Sequence, residues 1–187
     1  TNRRSSAVLK GITWGKNRGY VPLAATAERF HTMYGTTINW ERPYDFAHGD
    51  LAELSKEYDL LMIDHPHVGS AAKHGYLVPL NDYISEDYLK DQAENSVGKS
   101  HVSYQYDGIQ WGLATDAATP VAFFRPDILE EKGESLPATW EELRELTAKG
   151  LALFPCDPTS VLLNFFMLCD TQGVPPCTND SQVVHED

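Results

Sequence analysis

The sequence has few basic residues, few cysteines and no long apolar run. Its 187 residues include 15 Lys and Arg against 27 Asp and Glu, which gives a formal net charge of −12. Binding to nucleic acid or to an anionic membrane surface requires clustered basic side chains, so we expect neither partner. No apolar run is long enough to cross a bilayer. No apolar signal core follows the basic start of the chain, so we expect either a mature form or a cytoplasmic protein.

The three cysteines, Cys156, Cys169 and Cys177, all lie near the C-terminus. Their odd number and the lack of a C-x-x-C pair argue against a zinc site. Two interpretations stay open. The thiols are buried, or the protein is exported and has one disulfide and one free thiol.

Familiar catalytic motifs are also missing. The sequence has no G-x-S-x-G nucleophile motif, no G-x-G-x-x-G dinucleotide motif and no P-loop lysine. Asp64 and His65 leave one enzymatic alternative, a small α/β hydrolase or transferase that uses these two side chains. We predict no cofactor.

One cluster invites a metal interpretation, because four possible ligands are close in sequence: Asp64, His65, His67 and His74. Alternating histidines do not by themselves converge on one ion, and Pro66 leaves the direction of the two imidazoles open. The alternative places His67 and His74 on the solvent face of a helix. We predict no metal site.

Strand-like and helix-like segments alternate as far as Gly75. Strands are predicted at residues 8–14, 36–40 and 58–64. The last of these is apolar enough to be buried on both faces. Helices are predicted from Pro22 to a stop at Gly35, over residues 46–55, and in a short segment that stops at Gly75. This alternation predicts an α/β fold with a mainly parallel sheet and helices on both faces.

The pattern after Gly75 is less regular. We predict an irregular connection at 76–84, a helix at 87–97 and a hairpin that turns at Asp107-Gly108. Further helices are predicted at 126–132, after Thr139, and at 158–172. Thr139 and Glu142 have the spacing of a capping box.

Residues 106–143 carry an ordered set of motifs, "YDGIQWGLATDAATPVAFFRPDILEEKG" and then "LPATWEEL". A strand pair around Asp-Gly, an extended crossing, a strand, a short helix and a "P.TWEEL" helix start follow each other here. This order resembles the extracellular solute-binding proteins of ABC transporters, family 1, the sugar-binding type. The stretch "YLVPLNDYI" is similar to another segment of that family. The order of the motifs carries the resemblance, because no single motif is specific.

The resemblance implies the type II periplasmic-binding-protein, or flytrap, architecture, in which extended strands join two lobes. It assigns residues 1–115 to a first lobe without its C-terminal return and residues 116–187 to the start of a truncated second lobe. The first crossing would fall at residues 115–119, where short side chains allow the φ/ψ changes of closure. An ordinary sheet edge with a wide turn is the alternative. Since family members are longer, we expect a fragment or a truncated chain.

The resemblance also implies a function, that of the substrate-binding component of an ABC importer. Two lobes would capture a small solute, a sugar or related polyol, and deliver it to the permease subunits. We expect a monomeric, non-enzymatic protein in the periplasm or otherwise outside the cytoplasm. Some relatives are associated with the membrane. An organic acid or a polyamine stays open as the solute, and a sensor with the same fold is a further alternative.

The binding residues are predicted from position and chemistry. Ligands bind at the carboxyl ends of parallel strands, and a sugar site needs aromatic faces with a few polar side chains. Together with the resemblance, these rules predict the following ligand-binding residues: Trp14, Arg18, Tyr20, Tyr44, Asp64, His65, Trp111 and Asp116. Trp14 could instead be a core aromatic, and Asp64 could be an N-cap. Asp116 lies nearest the predicted hinge.

Overall fold

The computed structural model describes residues 7–43, 49–178 and 182–184. The chain divides into two compact units, Thr1–Ala117 and Ala118–Asp187. The lobe boundary predicted between residues 115 and 116 stays a prediction. No helix in the described ranges is long and apolar enough to cross a membrane.

The first unit is built on a parallel sheet, as the sequence predicts. Its strands are β1 (Val8–Ile12), β2 (Thr37–Glu41) and β3 (Leu60–Leu61), in the order β2-β1-β3. β1 aligns Gly11 with Trp40 of β2 and with Leu60 of β3. Apolar residues of this sheet and of the helices around it are buried: Ile12, Ala27, Ile63, Val68, Ala71 and Leu89.

The prediction that residues 58–64 are buried on both faces is wrong for most of the segment. Only Ile63 is buried, whereas Leu60, Leu61 and Met62 are half-buried. In the described residues β3 pairs with β1 alone. A strand at the edge of a sheet has fewer neighbours than a central one, so its side chains stay partly exposed.

Helix α1 spans Asn17–Tyr34 and begins before the predicted start at Pro22. The predicted loop around Arg18 and Tyr20 is therefore the first part of this helix. Pro22 lies in the second turn, where it forfeits the hydrogen bond to the carbonyl of Arg18, and the helix nevertheless continues past it. Gly35, with φ of 81°, ends the helix as predicted.

The next two helices are short, and a capping residue or a 3₁₀ turn precedes each of them. α2 (Leu51–Glu57) is capped by Asp50, whose carboxylate accepts from Ala52 N at 2.9 Å. Its predicted start at residues 46–48 lies outside the described residues. A 3₁₀ turn over His65–His67 leads into α3 (Val68–Lys73), and Gly75 closes this segment at φ of 70°.

The rest of the first unit follows the predicted order. A 3₁₀ turn (Leu80–Asp82) lies within the connection, and α4 spans Glu86–Asn95. The hairpin strands are β4 (Gln105–Tyr106) and β5 (Ile109–Gln110), which are antiparallel. Asp107 and Gly108 both have positive φ, 53° and 74°. Positive φ at both turn residues is the requirement of a type I′ turn, which explains this dipeptide.

The second unit consists of helices in its described residues: α5 (Pro126–Glu131), α6 (Trp140–Ala148) and α7 (Pro158–Thr171). The capping box at α6 is confirmed, because the Thr139 hydroxyl accepts from Glu142 N and the Glu142 carboxylate accepts from Thr139 N. The strand that the resemblance implies between the crossing and the short helix is not formed, and the apolar run there, residues 121–124, has no regular structure. The described part of this unit contains no strand for it to pair with, and Phe123 is 92% exposed.

The cysteines differ from the expectation of buried thiols. Cys156 and Cys177 are exposed, Cys169 is half-buried, and all are free thiols. Cys156 precedes the N-cap of α7 and Cys177 follows the helix, so neither lies on a packed face. α7 itself has no buried residue in the described structure, which explains the partial exposure of Cys169.

Candidate functional site

The carboxyl ends of β1 and β3 lie side by side in the first unit and bring Trp14 and Asp64 together. Ile12 aligns with Leu61, and the Met62 amide donates to Ile12 O at 3.0 Å. Residues that follow both strands, together with residues of α2 and just before it, line one small cavity: Trp14, Gly49, Leu51, Leu54, Met62, Ile63, Asp64 and His67. Its volume is about 20 Å³, room for about one water. These residues therefore form one surface of a site and not an enclosed pocket.

Trp14 is half-buried and held in place by the start of α1. A Cβ atom at Gly19 would lie 3.1 Å from the Trp14 ring, so the indole packs closely over this glycine. Thr13, the residue before, is fully buried. The indole is thus fixed by its neighbours and still partly open to solvent.

Asp64 stands at the N-cap position of the 3₁₀ turn, but its side chain makes no capping hydrogen bond. Asp64 therefore occupies the N-cap position, as the alternative predicts, but its side chain does not cap the turn. The carboxylate is exposed at the mouth of the strand ends. It can accept hydrogen bonds from an incoming ligand without first breaking a cap.

Arg18 and Asp116 form an ion pair at the same edge. Arg18 Nη2 lies 3.7 Å from Asp116 Oδ2, with the side chains 73% and 46% exposed. One residue earlier, the Thr115 hydroxyl donates to Met62 Sδ at 3.3 Å. The crossing segment is thereby joined both to the first turn of α1 and to the end of β3.

Tyr104 connects the remaining parts of this site, and the sequence analysis missed it. Its hydroxyl donates to Ile63 O at 2.9 Å, and its ring lies edge-on to His65, with centroids 6.5 Å apart. Burial raises the pKa of the Tyr104 phenol, and the carboxylates of Asp64 and Asp116 raise it further. The only sequence signal was a tyrosine just before the hairpin, which does not indicate a contact with β3.

Trp111 forms its hydrogen bonds with residues in and next to the hairpin. Its indole Nε1 donates to Tyr106 O at 3.1 Å, and its backbone N–H donates to Tyr104 O at 3.0 Å. The side chain is half-buried. Gln110 beside it is buried, and its side-chain Nε2 donates to Gly112 O at 2.6 Å.

Tyr20 lines a different and larger groove, between α1 and β2. The groove has a volume of about 460 Å³ and includes Trp40 and His31. The Arg42 guanidinium lies 4.3 Å from the centre of the Tyr20 ring. The structure thus does not group Tyr20 with the residues at the strand ends. Tyr44 lies outside the described residues.

The histidines near Asp64 do not gather around one point. His74 Nδ1 lies 2.8 Å from Ser70 O, and its ring stacks on Tyr76 with centroids 5.4 Å apart. In the described ranges, no three His, Cys, Asp or Glu side chains are placed to hold a metal ion. The metal interpretation therefore has no geometric basis in this part of the chain.

A family model matches most of the chain. Residues 19–155 match the family described as bacterial extracellular solute-binding protein. This range contains most of α1, the parallel strands β2 and β3, the hairpin and α6. No individually curated protein gives a significant sequence match.

Solved structures with the same fold are solute-binding proteins of the periplasmic-binding-protein architecture. One is an ABC transporter solute-binding protein from Agrobacterium radiobacter K84 in complex with ribitol, 23% identical, with a TM-score of 0.56 over 76% of this chain. Another is an extracellular solute-binding protein from Staphylococcus aureus in complex with maltose, 16% identical, with a TM-score of 0.53 over 79% of this chain. The match covers 37% of each of those chains, so this chain spans well under half of their length.

Proposed function

We propose that this chain is part of the substrate-binding component of an ABC importer, because it belongs to the family of bacterial extracellular solute-binding proteins. It contributes one side of a cleft that captures a small solute and delivers it to membrane permease subunits. The observation that carries the proposal is the placement of Trp14 and Asp64 around one cavity at the carboxyl ends of β1 and β3. The Arg18–Asp116 ion pair adjoins this edge, because Thr115 contacts Met62.

The solute is a sugar or a related polyol. An indole offers a flat apolar face for the C–H surface of a sugar ring, and carboxylates accept hydrogen bonds from hydroxyl groups. Arg18 and Asp116 pair with each other, so neither leaves a single unbalanced charge for an ionic solute. The ribitol and maltose bound by the two similar structures are compounds of the same class.

The lobes join at residues 115–119. Support comes from the division of the chain into compact units between Ala117 and Ala118. The remaining parts of the proposal are those of the family: a monomer that acts outside the cytoplasm, that binds without chemical change, and that hands its solute to a permease.

Isothermal titration calorimetry on the full-length protein tests the proposal, with maltose and ribitol as probes and an amino acid as the contrasting ligand. Saturable heat with either polyhydroxyl probe, together with recovery of that probe intact, is the expected result. Conversion of a probe to a product would favour the hydrolase or transferase alternative with Asp64 and His65. Binding of the amino acid alone would overturn the proposed solute class.

A further inference from the structure

We infer that Tyr104 is a positioning residue for solute binding, which holds the end of β3 and the start of the crossing segment in one arrangement. The inference rests on the proposed function, because it concerns the same site. Tyr104 itself need not touch the solute. It acts through Asp64 on one side and through the segment that leads to Asp116 on the other.

The first contact fixes the peptide that carries Asp64. The last amide of this strand end to donate to β1 is that of Met62, which donates to Ile12 O at 3.0 Å. Beyond it, the Tyr104 hydroxyl donates to Ile63 O at 2.9 Å. The carbonyl of Ile63 belongs to the same planar peptide as the Asp64 amide, so this bond orients the peptide from which the Asp64 side chain starts.

The second contact fixes the crossing segment. The Trp111 amide donates to Tyr104 O at 3.0 Å, and a Cβ atom at Gly112 would lie 3.1 Å from the Tyr104 ring. The ring and the backbone of Tyr104 thus hold both Trp111 and Gly112. From there the segment runs to Thr115, which contacts Met62, and to Asp116, which pairs with Arg18.

The third observation is electrostatic and agrees with this placement. The charges of Asp64 and Asp116 both raise the pKa of the Tyr104 phenol, after the larger effect of burial. Two carboxylates that are far apart in sequence therefore act electrostatically on the same phenol. His65, which lies edge-on to the ring, completes the packing around it.

The test compares two substitutions that each remove one hydroxyl from the hairpin region. Tyr104→Phe removes the bond to Ile63 O and keeps the ring on Gly112. Tyr106→Phe is the matched control. The Tyr106 hydroxyl forms no hydrogen bond with the described residues, and its ring also packs on a glycine, Gly69. We expect Tyr104→Phe to weaken binding of maltose or ribitol about three- to tenfold, the effect of about one hydrogen bond. The control should change affinity less than about twofold.

Two further measurements separate positioning from a merely structural role. Combined with Asp64→Asn, Tyr104→Phe should add less than its separate effect, because both act through the same carboxylate. Amide hydrogen exchange should become faster together at Met62 and at Trp111, whose amides donate to Ile12 O and Tyr104 O, with or without solute. Fully additive affinities, or a lower melting temperature with unchanged affinity, would overturn the inference. A wild-type protein that binds neither probe would overturn the proposed function instead, and the exchange pattern would still decide whether Tyr104 holds both segments.

Discussion

Replacement of Asp116 by alanine should weaken solute binding while the protein stays folded. A hydrogen bond to a charged group contributes about 1.5–3 kcal/mol, so loss of this carboxylate should lower affinity about ten- to a hundredfold. Within the described part of the chain, the interaction found for the Asp116 side chain is an exposed ion pair with Arg18, at 3.7 Å. Exposed pairs contribute about 0–1 kcal/mol, so the free energy of unfolding should fall by less than about 1 kcal/mol.

The assay is calorimetric titration of maltose and ribitol, with urea unfolding on the same samples. Asp127→Ala is a matched control, because Asp127 is also an exposed aspartate paired with an arginine, Arg125, but belongs to the second unit. It should leave affinity unchanged. If Asp116→Ala binds as tightly as the wild type, or no longer folds, then Asp116 is a structural residue and the reasoning is refuted.

The remaining predictions concern stability, each measured by urea unfolding followed by circular dichroism. Tyr58 donates to Glu41 at 2.7 Å, and this bond, with burial, raises the pKa of Tyr58 from 10.0 to about 12. Tyr58→Phe should cost about 0.5–1.5 kcal/mol at pH 7; since the folded pKa is raised, that contribution is complete below pH 10 and disappears as the pH rises to about 12. Gly11→Ala should cost about 1–3 kcal/mol, because the new Cβ would lie 2.5 Å from the Trp40 ring; an unchanged midpoint would contradict this packing. Thr139→Ala should cost about 0.5–2 kcal/mol through loss of the N-cap of α6, and a loss below about 0.3 kcal/mol would mean that the Thr139 cap contributes little.

Features of the fold that depend on a few neighbouring residues could be predicted from the sequence. The Asp107-Gly108 turn follows from the need for positive φ at both positions, and Gly35 ends α1 for the same conformational reason. The capping box of α6 follows from the spacing of Thr139 and Glu142. The parallel sheet could be predicted from the order of the elements, because repeated strand–helix units allow few other arrangements.

Features that depend on distant contacts could not be predicted in this way. The apolar run at 121–124 has strand composition, yet a strand forms only where a partner strand is available. The half-burial of Leu60 and Leu61 depends on how many strands flank β3, which the segment itself does not encode. Tyr104 could not be identified, because its partner Ile63 is 41 residues away in the chain.

The same contrast applies to the binding residues. Trp14 and Asp64 follow strands, so the general rule for parallel sheets places them correctly at one edge. The sequence predicts Tyr20 in the same group, because it follows the same strand. Since α1 starts at Asn17, Tyr20 is already helical, and the helix turns its ring towards β2 and away from the loop it was expected to occupy.

The anchoring of the crossing segment determines which part of the molecule a solute would meet first. Gly112, Thr115 and Asp116 are held by contacts within the first unit, to Tyr104, Met62 and Arg18. Under the proposed function, a pivot between the two lobes would then lie beyond Asp116, in the short-chained residues that follow it. The Asp116 carboxylate would then belong to the same unit as Trp14 and Asp64. A solute would be bound by this unit before closure, and closure would add the contacts that enclose it.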